Sequence, residues 1–72
     1  MSHKIERLVK MANDISDFFS FEPDKQLAAE GVKKHLLRTW EPRMRKDIVE
    51  YCQSGGEGLS PLAQQAIQLL SI

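Results

Sequence analysis

Apolar residues recur along the chain at helical intervals, and no stretch alternates as a strand would. Ile5, Leu8, Ala12, Ile15 and Phe19 follow one another at steps of three and four, the interval that returns a side chain to one helix face. Val9, Met11 and Phe18 widen that face, while Lys4, Glu6, Arg7, Lys10, Asp14 and Asp17 fill the remainder. This predicts an amphipathic helix over residues 2–21, with Ser2 as its cap. Glu22-Pro23-Asp24 stops it, because proline has no amide proton to extend the ladder and Asp24 can cap the next helix. Over residues 25–39, Leu27, Ala28, Val32, His35 and Leu36 share a face, with Leu37 beside it. Gly31 lies inside this pattern at a cost of about 1 kcal/mol against alanine, which points to close approach by another helix.

Trp40-Glu41-Pro42 breaks the chain again, since a residue before proline disfavours helical geometry. Pro42 then suits the first turn of a third helix, over residues 42–53, with Met44, Ile48, Tyr51 and Cys52 on its apolar side and Val49 adjacent. Gly55-Gly56-Glu57-Gly58 reads as a flexible connector. Ser60-Pro61 supplies a cap and a first-turn proline for a last helix carrying Leu62, Ala66, Leu69 and Leu70, with Ala63 and Ile67. The expected fold is all-α, a small bundle of about four short helices forming a single domain over residues 1–72.

Composition limits what such a bundle can do. At 72 residues and 8.2 kDa the core barely offsets chain entropy, which leaves few positions for a catalytic pocket. Ten basic and ten acidic residues give a net charge of zero, against a protein whose main task is holding nucleic acid or anionic lipid. The single Cys52 cannot form an internal disulfide; it reads as a small buried side chain, with His35 the candidate base if it were a nucleophile. There is no secretory signal pattern and no apolar run near the ~20 residues that span a bilayer, so no membrane partner and a cytoplasmic location are expected. Metal-ligand spacing is absent, and the glycine loop lacks the Lys-Ser/Thr of a phosphate loop. No catalytic, cofactor-binding or metal-binding residue is expected.

The charges are segregated. Asp14, Asp17, Glu22, Asp24 and Glu30 face one Lys25, a balance of −4, whereas Lys33, Lys34, Arg38, Arg43, Arg45 and Lys46 face Glu41 and Asp47, a balance of +4. The two runs can simply be solvated surface, or the basic one can dock an acidic partner or a phosphate group. Arg43-Met44-Arg45-Lys46 could also imitate a DNA recognition helix, although the acidic helix before it would repel DNA. Trp40, the one tryptophan, either caps the core or joins Arg43 and Arg45 as an interface hot spot. Phe18, Phe19 and Phe21 offer more aromatic surface than one helix face can bury, so part of it should meet another chain.

Three blocks of the chain resemble a known family. Leu8-Val9-Lys10-Met11-Ala12-Asn13-Asp14-Ile15 followed by Phe18-Phe19 is similar to the opening of the delta subunit of NAD-dependent formate dehydrogenase. His35-Leu36-Leu37-Arg38-Thr39-Trp40-Glu41-Pro42-Arg43-Met44-Arg45 resembles that family's Trp-acidic-Pro-Arg-Met core, and Gly55-Gly56-Glu57-Gly58-Leu59-Ser60-Pro61-Leu62 with Ala66 resembles its C-terminal stretch. The resemblance implies a non-catalytic accessory subunit of a soluble, cytoplasmic molybdenum- or tungsten-dependent enzyme. It implies attachment to the catalytic alpha subunit, which holds the pterin-bound metal and iron–sulfur clusters, and support of assembly or stability with no redox group bound by this chain.

On this reading the partner-binding residues are Trp40, Pro42, Arg43, Met44 and Arg45, together with Phe18 and Phe19. Trp40 would fill an apolar pocket while Arg43 and Arg45 pair with carboxylates or carbonyls of the partner. Asn13, within an apolar helix, serves either as a capping or core hydrogen-bonding residue or at the interface. The alternatives are a transient assembly chaperone acting during cofactor insertion and a small helical DNA-binding regulator. Isolated copies could pair as a homodimer through their exposed aromatics.

Overall fold

The computed structural model describes residues 3–71. Four helices follow one another, α1 (His3–Phe19), α2 (Lys25–Thr39), α3 (Pro42–Gln53) and α4 (Pro61–Leu70), and the described residues contain no strand. The all-α, four-helix expectation holds. Helix α1 stops two residues before the periodicity suggests: the amides of Ser20 and Glu22 turn back to the carbonyls of Asp17 and Phe19, which carries Phe21 out of the helix. The cap expected at Ser2 lies outside the described residues.

The helix starts follow local chemistry. Asp24 Oδ1 accepts from the amides of Gln26 and Leu27 at 3.0 and 3.2 Å, satisfying two donors that have no partner inside α2. Ser60 Oγ accepts from the Ala63 amide at 3.2 Å, and Pro61 then opens α4. Helix α3 has no side-chain cap at Glu41 and relies on Pro42, whose fixed φ suits a first turn.

Leu8 and Ala12 of α1, Val32 and Leu36 of α2, Ile48 of α3 and Ala63, Ala66 and Ile67 of α4 form the buried centre, joined by Trp40 and Leu59. Helix α2 packs chiefly on α4. Alanines at 28 and 29 on one side and 63 and 66 on the other let the two backbones approach, and this rotates α2 relative to the expected face. Ala28, Ala29, Val32 and Leu36 point inward, His35 is half-buried, and Leu27 is 55% exposed. The buried Ser16 hydroxyl donates to the Ala12 carbonyl at 2.8 Å, so it adds no unsatisfied polar atom.

Gly31 marks the close approach its position suggested. A Cβ there would lie 2.7 Å from Phe19 Cε1 and 2.8 Å from Cδ1, so the α1 ring occupies the space beside α2 that any other residue would fill. The glycine-rich connector is more ordered than expected. Gly55, at φ +133°, follows the α3 cap; its amide bonds the Cys52 carbonyl and the Gly56 amide the Tyr51 carbonyl, the paired closure of a Schellman motif. Asn13 then clasps the loop from α1: its Nδ2 donates to the Gly58 carbonyl and its Oδ1 accepts from the Ser60 amide, both at 2.9 Å. Tyr51 Oη donates to the Glu57 carbonyl, and Gln64 Nε2 to the Leu59 carbonyl at 3.2 Å. Asn13 is thus a structural residue that holds the first helix to the loop before the last.

Candidate functional site

Trp40 has extended backbone (φ −93°, ψ 141°), and the turn into Pro42 brings its ring back onto the core. It is 4% exposed. In this fold it packs within the core of its own chain. Arg45 also turns inward: its Nη1 donates to the carbonyls of Trp40 and, at 3.4 Å, Leu37. Those carbonyls belong to the end of α2, where helical acceptors lack amide partners and a cation is favoured. Arg45 therefore ties the start of α3 to the end of α2, and the partner carbonyls expected for it are this chain's own.

Pro42 and Arg43 lie exposed on the first turn of α3, while Met44 is half-buried against the core. Asp47, one turn beyond Arg43, pairs with Lys4 of α1 at 2.8 Å. The hydrogen bond from Lys4 holds its carboxyl below the ordinary 3.8 against the opposing effect of desolvation, and the fields of Lys4, Arg43 and Lys46 add to the lowering.

The aromatic cluster lies at the other end of α1. Phe18 and Phe21 are 70% and 78% exposed, and Phe19 is half-buried over Gly31. Phe18 meets Phe19 edge-to-face at 5.3 Å between ring centres and Phe21 at 6.4 Å. Asp14, Asp17 and Asp24 are exposed around the same chain reversal, so these rings project from an acidic setting. Lys34, Arg38, Arg43 and Lys46 are exposed farther along the chain with Leu37, which keeps the two charge runs apart.

Two shallow hollows open beside α1. One, of about 300 Å³, is bordered by Asp14, Ile15, Phe18, Phe19 and His35. The other, of about 440 Å³, is bordered by Lys4, Arg7, Leu8, Met11 and Met44. The structure thus places Phe18 and Phe19 beside one hollow of α1, whereas Met44 of α3, next in sequence to the inward Arg45, borders the other. Met11 and Ile15, read as part of the apolar stripe, pack against the core and, sitting at the edge of that stripe, also line these hollows. The signal for this edge was present in the spacing of Lys4, Arg7, Met11, Asp14 and Phe18, a second run of threes and fours.

Burial pushes the Cys52 thiol up from its ordinary range, which keeps it protonated and poorly nucleophilic at neutral pH. Cys52 borders a hollow with Val49 and Ile67, whereas His35 faces the Phe18 hollow, so the two do not form a pair. Among the described residues no group of three or more His, Cys, Asp or Glu converges to hold a metal, and no helix is long and apolar enough to cross a membrane.

The model of a family described as NADH-dependent formate dehydrogenase delta subunit FdsD matches residues 7–67 of the 72-residue chain. No curated protein and no solved structure matches it.

Proposed function

The chain belongs to the delta-subunit family of NADH-dependent formate dehydrogenases, and on that premise we propose that it is a non-catalytic accessory subunit that binds the catalytic alpha subunit. Its role is to support assembly or stability of the complex in the cytoplasm, with the redox cofactors held by the other subunits. The observation that carries this reading is the exposed pair Phe18 and Phe21, grouped edge-to-face with Phe19 yet uncovered by their own fold. Covering a phenylalanine side chain contributes roughly 1.5–3 kcal/mol, and none of the four helices covers these two. Pro42 and Arg43, exposed at the start of α3, extend the docking surface, and Arg43 is free of the backbone duty that occupies Arg45.

The test is affinity capture of the tagged chain from its own host grown on formate, with mass spectrometry, metal analysis and an assay of NAD-linked formate oxidation. A large metalloenzyme subunit in equal proportion, with activity, is the expected result. A large subunit recovered only in trace or metal-free form indicates a transient assembly factor instead. Recovery of the chain alone overturns the reading, and a salt-dependent gel shift then tests binding to DNA.

A further inference from the structure

Lys4, Arg7, Met11, Asp14 and Phe18 form a stripe along α1 beside its core face, and the stripe is nearly symmetric about its middle residue. Met11 lies seven residues from both Lys4 and Phe18. Arg7 stands four before it and Asp14 three after. Positive charge therefore occupies one end and negative charge the other, with an adaptable methionine between them. When such a helix meets an identical helix running the opposite way, each end finds the complementary end. From this we propose that the isolated chain forms a two-fold homodimer in which the α1 stripes of two copies pack antiparallel, centred on Met11.

In that register Met11 meets Met11 of the second copy on the axis, and Arg7 lies beside Asp14 of the second copy, twice over. Lys4, paired with Asp47 of its own chain at 2.8 Å, falls opposite the exposed ring of Phe18 of the second copy. The apolar members of the stripe, Met11 and Phe18, lie seven residues apart and serve as the knobs of the helix–helix seam. The two hollows beside α1, one next to Met11 and Met44 and the other next to Ile15 and Phe18, receive them. A parallel arrangement would set Arg7 against Arg7 and Asp14 against Asp14, so charge selects the antiparallel one. Within its own chain Asp14 pairs with Lys10 at 3.0 Å, and this open surface pair, which contributes little, exchanges for Arg7 of the second copy.

The seam runs about 21 Å from Lys4 to Phe18, one helix face against another, and is small beside stable dimer interfaces. The dimer is accordingly weak, dissociating on the order of micromolar concentrations. It covers Phe18, so pairing of free copies competes with docking on a larger subunit through that ring.

Sedimentation of the isolated full chain tests this without the catalytic subunit, so its result is separate from that of the capture experiment. The expected mass is twice 8.2 kDa at high concentration, falling toward 8.2 kDa on dilution. Arg7→Asp and Asp14→Arg, both at exposed positions, each give a monomer at concentrations where the parent chain is dimeric, with helical circular dichroism unchanged. An equal mixture of the two variants recovers the dimer, because each then supplies the charge the other lacks. A parent chain that is monomeric at all concentrations overturns the proposal. So does a dimer that both charge reversals leave intact, a mixture that stays monomeric, or a dimer abolished by Leu37→Ser alone.

Discussion

Gly31 is where a single missing methyl group decides a helix contact. Alanine raises helix propensity by about 1 kcal/mol, yet its Cβ would fall within 3 Å of the Phe19 ring, which is half-buried and would have to leave its seat. Gly31→Ala is therefore expected to lower the melting temperature of the parent chain and to raise it in a Phe19→Ala background. A thermal double-mutant cycle showing the same sign in both backgrounds would contradict the contact. Asp47 gives a residue-scale prediction in pH. Its folded pKa lies below 3.8, so the folded state releases the proton more readily than the unfolded chain. The resulting stabilisation is present above pH 3.8 and is lost as pH falls through the lower folded value. Parent and Asp47→Asn melting temperatures should differ at pH 7 and converge in that acid range, with high salt shrinking the difference. Gly31 was legible in the sequence because a glycine inside a strong helical pattern weakens the helix unless a neighbour needs the space. Trp40 was not, since its exposure depends on which way the chain turns at Glu41-Pro42, and residue type suits both a core and an interface.

The helix termini among the described residues are closed by several devices, and the devices differ in how visible they were. Asp24, Pro42 and Ser60-Pro61 act locally, within three residues of the groups they serve, so sequence pattern located all three starts. The closure of α2 by Arg45 spans five to eight residues across a break, and α1 reaches the glycine loop through Asn13 across 45 and 47. Those partners emerge only when the helices are placed. The rotation of α2 has the same origin: Leu27 and His35 fit the apolar periodicity, but the small Ala28 and Ala29 admit α4 on their own side. Removing a local cap and removing the cross-break one should cost similar amounts. Ser60→Ala is expected to lower unfolding free energy by about 1 kcal/mol and Ser60→Gly by a few tenths. Arg45→Met should cost roughly 0.5–1.5 kcal/mol, the net range for one hydrogen bond, since its acceptors are exposed or part-buried, with Arg45→Lys in between because an ammonium lacks the planar fork. Urea denaturation with an unchanged m value checks all of these variants; an Arg45→Met variant as stable as its parent would mean the α2 carbonyls find water instead.

For the molecule as a whole, stability and partner binding reside in different aromatic residues. Trp40 is inside and Phe18 and Phe21 are outside, so the two groups should respond oppositely to truncation. Trp40→Ala is expected to cost about 3–5 kcal/mol, enough to unfold much of so small a domain and to lose partner capture for that reason alone. Phe18→Ser with Phe21→Ser should change unfolding free energy by no more than about 0.5 kcal/mol while abolishing capture of the catalytic subunit. Urea melts beside capture from the host distinguish them; retention of the large subunit by the double serine variant would move the docking surface elsewhere. The Asn13 clasp carries a further consequence for the time course of synthesis. Asn13 is translated 45 residues before Gly58, an interval of roughly 2–9 s at common elongation rates. Helix α1 must wait that long for the loop that secures it, and for the α4 face that completes the core. Folding is thus deferred until α4 has left the ribosome, and a product ending before that helix lacks the Ala63, Ala66 and Ile67 side of the core, leaving it open to proteolysis.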